Sequence, residues 1–265
     1  MRPYSIKPRQ KIEGPLSGQR ILLTRAGDDN DALAKKLRKE GAVVLIFPCL
    51  QIEILSTPSP WEKQLLEIKK ADGIIFTSRY AVRSIQHNWP NALRQARYYA
   101  IGPATAAEMQ AAKLPSAITT EPHTSEGLLN HPSVQTVANE TWLIIGGENP
   151  RTYLQINLEK RGAQVNTIAC YRRLCPSYSD KTIARLQEEG INRIVVQSAD
   201  CLKNIAHLLK PMPTHSLWGA ELLLPTDRYL TIATKLGFYG KLRVAGSTAD
   251  EAILAALPGK EDQLS

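Results

Sequence analysis

Hydroxyl residues recur at equivalent places in this chain, most of them between a short apolar run and a helix-like pattern. Ser78 corresponds to Ser198 at an offset of 120, and Thr105 corresponds to Thr226 at an offset of 121. Such residues cap the first backbone N–H groups of a helix, and the same N–H groups bind anions. Capping alone is the simpler interpretation of each residue, although the two roles are compatible. The hydroxyl residues placed in this way are Thr77, Ser78, Thr105, Ser125, Ser198, Thr226, Ser247 and Thr248.

Two arginines lie where they could hold carboxylates. Arg25 follows the first apolar run and Arg79 follows Ser78, and a guanidinium binds a carboxylate through two parallel hydrogen bonds. Arg151 and Arg161 are weaker candidates, because exposed arginines are common on helices. The net charge of +8 also favours an acidic ligand. The basic residues are dispersed and accompany no cluster of stacking aromatic residues, so we expect a small anionic molecule rather than a nucleic acid.

Several site classes have no signature in the sequence. The four cysteines form no C-x-x-C pair and the five histidines have no metal-ligand spacing, so neither a disulfide nor a metal is predicted. No G-x-G-x-x-G or P-loop motif favours nucleotide binding, and no G-x-S-x-G motif favours a serine hydrolase. We therefore expect no cofactor. Cys49 and Cys170, which occupy equivalent positions on apolar stretches, are interpreted as small buried hydrophobic residues.

The elements that position these residues are duplicated. Residues 21–44 align without a gap on 142–165, and residues 71–86 align on 191–206, so the blocks recur in the same order. A period near 120 residues is too long for a solenoid and indicates two copies of a domain-sized unit. Within each copy short apolar runs alternate with helical patterns, which is typical of an α/β fold with a parallel sheet. Ligands of such sheets bind beyond the carboxyl ends of the strands.

The arrangement of the two copies has two interpretations. The extended segments 48–55 and 169–175 lie at equivalent places and would be paired connectors. One domain would then comprise 1–47 with 176–265, and the other 56–168. The alternative is two consecutive halves divided near residue 139. No apolar run approaches the roughly 18 residues of a membrane span, and we expect a cytoplasmic protein.

Several segments resemble the uroporphyrinogen-III synthase family, and the resemblance covers about residues 17–258. FTSRYAV at 76–82 resembles the family's F-T-S-x-x-A-V, AIGPATAAEM at 100–109 its I-G-x-x-T-A, and TSEGLL at 124–129 its S-E-x-L. The segment 151–173 resembles the family's R-x-x-L-x-x-x-L-x-x-x-G-x-x-V motif with its following tyrosine. Each motif is weak alone, but their common order and spacing are specific.

The resemblance implies a fold and a reaction. The fold is two Rossmann-like, flavodoxin-like parallel-sheet domains joined by a two-stranded connector. The enzyme would be a cyclising hydro-lyase acting on hydroxymethylbilane, a linear tetrapyrrole polycarboxylate. Apart from the resemblance, a monomer is the simplest expectation for a two-domain chain. Loss of the hydroxymethyl oxygen as water and a spiro intermediate lead to uroporphyrinogen III, in which the terminal pyrrole is inverted. A non-catalytic binding or regulatory relative is the alternative.

Tyr171 matches the family's tyrosine on the connector. A phenol is protonated at neutral pH and could donate a proton to the departing hydroxyl. Packing of its ring at a domain junction is the competing interpretation. The resemblance also implies that substrate contacts Gly102 of the I-G-P segment. The chain departs from the family at GGE (146–148), where the family often has R-G-E, and in its carboxyl half, where Leu223 stands at the position equivalent to Gly102.

Overall fold

A computed structural model of the chain describes residues 13–55, 70–85, 96–150 and 152–257. The chain divides into two compact units, one of Met1–Gln51 with Leu174–Ser265 and one of Ile52–Arg173. Arg151 and residue 56, at which the second predicted domain begins, lie outside the described residues. None of the helices in the described ranges is long and apolar enough to cross a bilayer.

Ten strands form two five-stranded sheets in the part of the chain that the structure describes. In chain order the strands are β1 (Arg20–Leu23), β2 (Val43–Ile46), β3 (Gln51–Ile54), β4 (Gly73–Phe76), β5 (Arg97–Ala100), β6 (Thr141–Gly147), β7 (Gln164–Leu174), β8 (Arg193–Val195), β9 (Glu221–Leu224) and β10 (Leu242–Val244). The first unit has the order β10-β9-β8-β1-β2, and the second has β3-β7-β6-β4-β5.

Helices follow most of the strands, as expected of parallel sheets. In chain order they are α1 (Asp31–Lys39), α2 (Arg79–Ile85), α3 (Pro103–Ala111), α4 (Ser125–Leu129), α5 (Tyr153–Lys160), α6 (Asp180–Glu188), α7 (Ala199–Leu209), α8 (Arg228–Lys235) and α9 (Asp250–Ala256). In α1, Leu33 and Leu37 are four residues apart and fully buried on one face. Gly41 follows the helix with a φ of 93°, a left-handed conformation that glycine adopts at little cost.

The sheet of the first unit is parallel at each of its four pairings. Numbered by their order within this unit, its strands are arranged 2-1-3-4-5, which is the flavodoxin-like order. The carboxyl ends of β1, β8 and β9 are therefore neighbours at one edge. Arg25, Ser198 and Thr226, each two or three residues beyond a strand end, therefore lie at this edge.

The sheet of the second unit is buried on both faces. In β4, Ile74 and Phe76 belong to one apolar cluster and Ile75 to another, because successive side chains of a strand point to opposite faces. Strands β4, β5, β6 and β7 pair in parallel, so the carboxyl ends of β4, β6 and β7 lie side by side. These features confirm the predicted α/β parallel-sheet class, whereas the duplication itself stays an inference from the sequence.

Strand β7 is continuous from residue 164 to 174 and so includes most of the extended segment 169–175. Its register against β6 shifts at one point, where Gly146 pairs with Ala169 but Gly147 pairs with Tyr171. Cys170 is the extra residue of this β-bulge. The bulge breaks the two-residue alternation, so Cys170 and Tyr171 are both buried in the same apolar cluster.

The cysteines agree with the interpretation drawn from the sequence. Cys49, Cys170 and Cys201 are buried free thiols, and Cys175 is an exposed one. Burial raises the pKa of Cys170 to about 12 and raises that of Cys49 well above its usual value. These buried thiols therefore remain protonated at neutral pH.

Candidate active site

Tyr171 lies at the centre of the candidate site, in the core of the second unit. Its side chain is 1% exposed, and its ring meets the Tyr80 ring edge-on with a centroid separation of 5.7 Å. The ring of Tyr171 thus packs within the second unit. Its hydroxyl nevertheless reaches polar partners, so the residue combines a packed ring with a bonded oxygen.

Two donors contact the Tyr171 hydroxyl oxygen. The Ser78 hydroxyl donates to it at 2.9 Å, and Nη2 of Arg173 donates to it at 3.1 Å. Ser78 stands directly before α2 and its oxygen also accepts the Ala81 N–H at 3.2 Å, as a helix cap does. The structure therefore joins two residues predicted from the sequence, Ser78 and Tyr171, and adds Arg173, which the sequence analysis did not single out.

Glycines at the end of β6 make room for this group. A Cβ on Gly147 would lie 2.9 Å from Cζ of Tyr171 and 3.2 Å from its hydroxyl oxygen. A Cβ on Gly146 would lie 2.5 Å from Oγ1 of Thr77. All three distances are shorter than ordinary Cβ contacts, so this arrangement leaves no room for a side chain at either position. The pair was visible in the sequence, but only as a departure from the family's R-G-E.

Thr77 and Arg79 flank Ser78 in the strand-to-helix turn. The Thr77 N–H and hydroxyl both bond to the carbonyl oxygen of Ile145, at 3.0 and 3.1 Å, and tie the turn to β6. Arg79 is the first residue of α2, and its guanidinium carbon lies 5.5 Å from the centroid of the Tyr80 ring. Both predicted residues thus lie next to the Ser78 and Tyr171 pair.

Gly102 and Thr105 lie at the start of α3, beyond β5. Gly102 is the N-cap residue with a φ of 90°, a conformation that favours glycine. Thr105 is 3% exposed, and its hydroxyl donates to the Ile101 carbonyl oxygen at 3.2 Å. The predicted capping role of Thr105 is wrong, because its hydroxyl bonds backward within the chain and not to a free N–H group.

The predicted capping role of Ser125 is also wrong, by one residue. Thr124 occupies the N-cap of α4, and its hydroxyl accepts the Gly127 N–H at 3.1 Å. Ser125 is the first residue of the helix itself. A cap requires a non-helical backbone, and Thr124 has the extended conformation that the role needs.

Ser198 and Thr226 are two of the four predicted hydroxyl residues in the first unit. Ser198 is the N-cap of α7, and its hydroxyl accepts the Cys201 N–H at 3.1 Å, which confirms its predicted capping role. Thr226 precedes Asp227, the N-cap residue of α8, so a capping role for Thr226 is wrong. Among the described residues, Oγ1 of Thr226 is buried and has no hydrogen-bond partner.

Arg25 follows β1 in the first unit and has several partners. It donates to a carboxylate oxygen of Asp250 at 3.3 Å and to the carbonyl oxygen of Thr248. Ser247 accepts the Ala249 N–H at 3.1 Å, just before α9. Arg25 thus fixes the loop before α9 against the end of β1.

The predicted residues fall into three groups within their own units. Thr77, Ser78, Arg79 and Tyr171 gather at the carboxyl end of β4 and beside the bulge of β7. Gly102, Thr105 and Ser125 lie around α3 and α4, and Arg25, Ser198 and Thr226 lie beyond the carboxyl ends of strands in the first unit's sheet. In the described ranges, no group of three or more His, Cys, Asp or Glu side chains could hold a metal ion.

Comparison with known proteins gives consistent matches. The family model described as uroporphyrinogen-III synthase HemD matches residues 31–223. The uroporphyrinogen-III synthase of Salmonella typhimurium is 29% identical over 247 residues, which is 89% of this chain and 99% of that protein. That of Proteus mirabilis is 31% identical over 172 residues, covering 62% of this chain and 85% of the relative.

Solved structures agree at the level of the fold. Uroporphyrinogen-III synthetase from Helicobacter pylori superposes with a TM-score of 0.61 at 12% identity, over 89% of this chain and 97% of that one. A mutant uroporphyrinogen III synthase from the extremely thermophilic bacterium Thermus thermophilus superposes with a TM-score of 0.54 at 19% identity, over 90% and 97% of the two chains. Because the family model spans well over half of the sequence, the chain belongs to the uroporphyrinogen-III synthase family.

Proposed function

We propose that this chain converts hydroxymethylbilane to uroporphyrinogen III in tetrapyrrole and haem biosynthesis, as a cyclising hydro-lyase that releases one water. The observation that carries the proposal is the match of the family model across residues 31–223. The non-catalytic alternative gains no support from the matched relatives, which carry the name of the synthase.

The proposed chemistry asks little of side chains beyond geometry. The bilane must be held so that its terminal pyrrole attacks through its substituted carbon, and the competing direct closure must be prevented. Departure of the hydroxyl group as water needs a proton. We assign the Tyr171 phenol as the group from which this proton ultimately comes. The bonds to Ser78 and Arg173 support this role, because they hold the phenol oxygen at one position.

We assign the substrate carboxylates and pyrrole groups to the remaining predicted positions. In the second unit these are Thr77, Ser78, Arg79, Gly102, Thr105 and Ser125, and in the first unit they are Arg25, Ser198 and Thr226. Thr105 would act by holding the start of α3, since its hydroxyl bonds to Ile101. Thr226 would act through its own hydroxyl, which has no partner in the described part of the protein.

The cellular assignments complete the proposal. A cytoplasmic monomer that uses no cofactor and binds neither nucleic acid nor membrane fits a small anionic substrate and dispersed basic residues. Light scattering after size-exclusion chromatography measures the oligomeric state, and a mass near 29.4 kDa is expected. A stable dimer would contradict the monomer assignment but not the proposed reaction.

Product analysis tests the reaction directly. Freshly made hydroxymethylbilane closes without an enzyme to the uninverted isomer, so the isomer ratio after oxidation to porphyrin reports catalysis. We expect the protein to shift the product to the inverted isomer in proportion to its concentration. An isomer ratio equal to that of the protein-free reaction would refute the function.

A further inference from the structure

The proposed acid, Tyr171, is more deeply buried than its neighbour. The Tyr171 side chain is 1% exposed, whereas Ser78 is only half-buried. The two hydroxyl oxygens are 2.9 Å apart. Within this pair Ser78 is therefore the hydroxyl that a ligand can reach.

Rotation of two hydroxyl hydrogens converts this pair into a relay. In the structure Ser78 donates to Tyr171, but a serine oxygen carries two lone pairs and a freely rotating hydrogen. If Tyr171 donates instead, the Ser78 oxygen accepts both the Tyr171 hydroxyl and the Ala81 N–H. The Ser78 hydrogen then points away from both partners, and no heavy atom has to move.

Arg173 supplies the charge that such a transfer needs. Its Nη2 donates to the Tyr171 oxygen at 3.1 Å, and its guanidinium carbon lies 5.7 Å from the ring centroid. Residues two apart on a strand share a face, so β7 itself holds Arg173 beside Tyr171. Arginine keeps its charge at all relevant pH values, and a phenolate formed beside it would gain a charge-assisted hydrogen bond.

We propose that, in the reaction proposed above, Ser78 delivers the proton to the leaving group, Tyr171 replaces it, and Arg173 is the positioning residue that stabilises the resulting phenolate. The Ser78 proton passes to the hydroxymethyl oxygen as the carbon–oxygen bond breaks, and water leaves with the bonding pair. The Tyr171 proton passes to Ser78. When the macrocycle closes, the newly bonded pyrrole carbon loses a proton, which returns through Ser78 to Tyr171 and restores the starting state.

A double-mutant cycle on Arg173 and Tyr171 tests this coupling. We expect Arg173→Gln to lower kcat for the inverted isomer by about 10- to 100-fold with little change in KM, and Arg173→Lys to recover part of the loss. In a Tyr171→Phe background the same Arg173→Gln change should alter kcat by less than about 3-fold, because the phenol it serves is gone.

A matched control exists on the same strand. Arg172 points to the opposite side of β7 and pairs with Glu53 through bonds of 2.7 and 3.0 Å. Arg172→Gln should leave the kcat unchanged, and equal melting temperatures would show that both arginine variants are folded.

Ser78→Ala should lose as much activity as Tyr171→Phe, and Ser78→Thr should retain activity because it keeps the hydroxyl.

Other outcomes separate the possible errors. An Arg173→Gln effect that is equal in both backgrounds, or that appears only in KM, would mean that Arg173 binds a substrate carboxylate directly and would overturn its assignment. Full activity of folded Ser78→Ala would overturn the relay. A wild-type protein that leaves the isomer ratio at its spontaneous value would refute the function itself, and the relay with it.

Discussion

Gly147 and Tyr171 face each other across the β6 and β7 pair, and a Cβ on Gly147 would lie 2.9 Å from the tyrosine ring. The absence of a side chain at 147 is therefore a condition for the position of the phenol. The double glycine of the sequence therefore matters for the site because a side chain at position 147 would overlap the tyrosine ring.

Gly147→Ala should displace the Tyr171 ring. Because the ring is packed in the core, we expect a loss of about 1–3 kcal/mol in the free energy of unfolding and a kcat at least about tenfold lower. Urea unfolding and the isomer assay measure the two quantities.

Gly73→Ala is the control. Gly73 lies at the amino end of β4, and a Cβ on it would lie 2.6 Å from the Trp142 ring. It should destabilise the protein but leave the kcat of the folded fraction unchanged, and a similar loss of kcat would contradict a local effect at Tyr171.

Thr226→Val should affect substrate binding and not stability, whereas Thr105→Val should affect stability. The Thr226 hydroxyl oxygen is buried without a partner in the described structure, so its removal should cost no stability. If this hydroxyl binds substrate, KM should rise by about tenfold, since a lost hydrogen bond is worth roughly 1.4 kcal/mol. Thr105→Val removes the bond to Ile101 and should lower stability by about 1 kcal/mol. Thermal melts and KM values of both variants test these two expectations. An unchanged KM in Thr226→Val would show that the Thr226 hydroxyl does not bind substrate.

The folded first unit should lose stability at acidic pH because Glu221 becomes protonated. Burial alone would raise the pKa of this carboxyl, but hydrogen bonds from Arg243 and Arg193 outweigh burial and hold the pKa below its usual 4.5. A lowered pKa stabilises the folded state above the unfolded pKa of 4.5, and this stability is lost as the pH falls through the folded value. Glu221→Gln should therefore be destabilising by about 2–3 kcal/mol at pH 7, with a difference that shrinks below about pH 4.5.

Urea midpoints of both proteins across pH 3–8 measure that difference. Glu251→Gln is the control, because Glu251 pairs with Lys36 on the surface and is 78% exposed. Exposed ion pairs contribute little, so its midpoints should follow those of the wild type. A Glu221 difference that is constant across this pH range would show that the carboxylate charge is not what stabilises the sheet.

Cysteine labelling should separate the exposed thiol from the buried ones. Burial raises the pKa of Cys170 to about 12, so at pH 8 roughly one thiol in ten thousand is ionised, and the reagent cannot reach it. Iodoacetamide should modify Cys175 alone in the folded protein and all four cysteines in denaturant, as intact-mass spectra would show. Cys175→Ser should abolish labelling of the folded protein. Equal rates at Cys170 and Cys175 would contradict the packing of the second unit.

Much of the fold was predictable because it rests on periodic apolar patterns. The runs at residues 21–23, 74–76 and 221–224 all fall in strands, and Leu33 and Leu37 share the buried face of α1 as their spacing predicted. Parallel sheets bury both faces of each strand, and that burial demands continuous apolar runs that are easily recognised.

The candidate site was predictable only in part. The turn after β4 and the tyrosine on β7 were identified, and the family resemblance supplied the tyrosine. Capping was assigned correctly to Ser78 and Ser198. It was assigned wrongly to Thr105, Ser125 and Thr226, because a cap depends on the backbone conformation of one residue, which spacing does not fix. Arg173 was missed, although its separation of two residues from Tyr171 on an extended segment could have indicated a shared face.

The extra residue in β7 has a consequence for chain length. Cys170 has no pairing partner on β6, and because of this extra residue the phenol points to the side where Ser78 lies. Because side chains alternate along a strand, regular pairing with Cys170 retained would turn the tyrosine to the opposite surface, whereas deletion of Cys170 would leave it opposite Gly147 and on its present face. The number of residues in this segment therefore matters as much as their identity, and a homologue one residue shorter here would orient its tyrosine in the same way without a bulge.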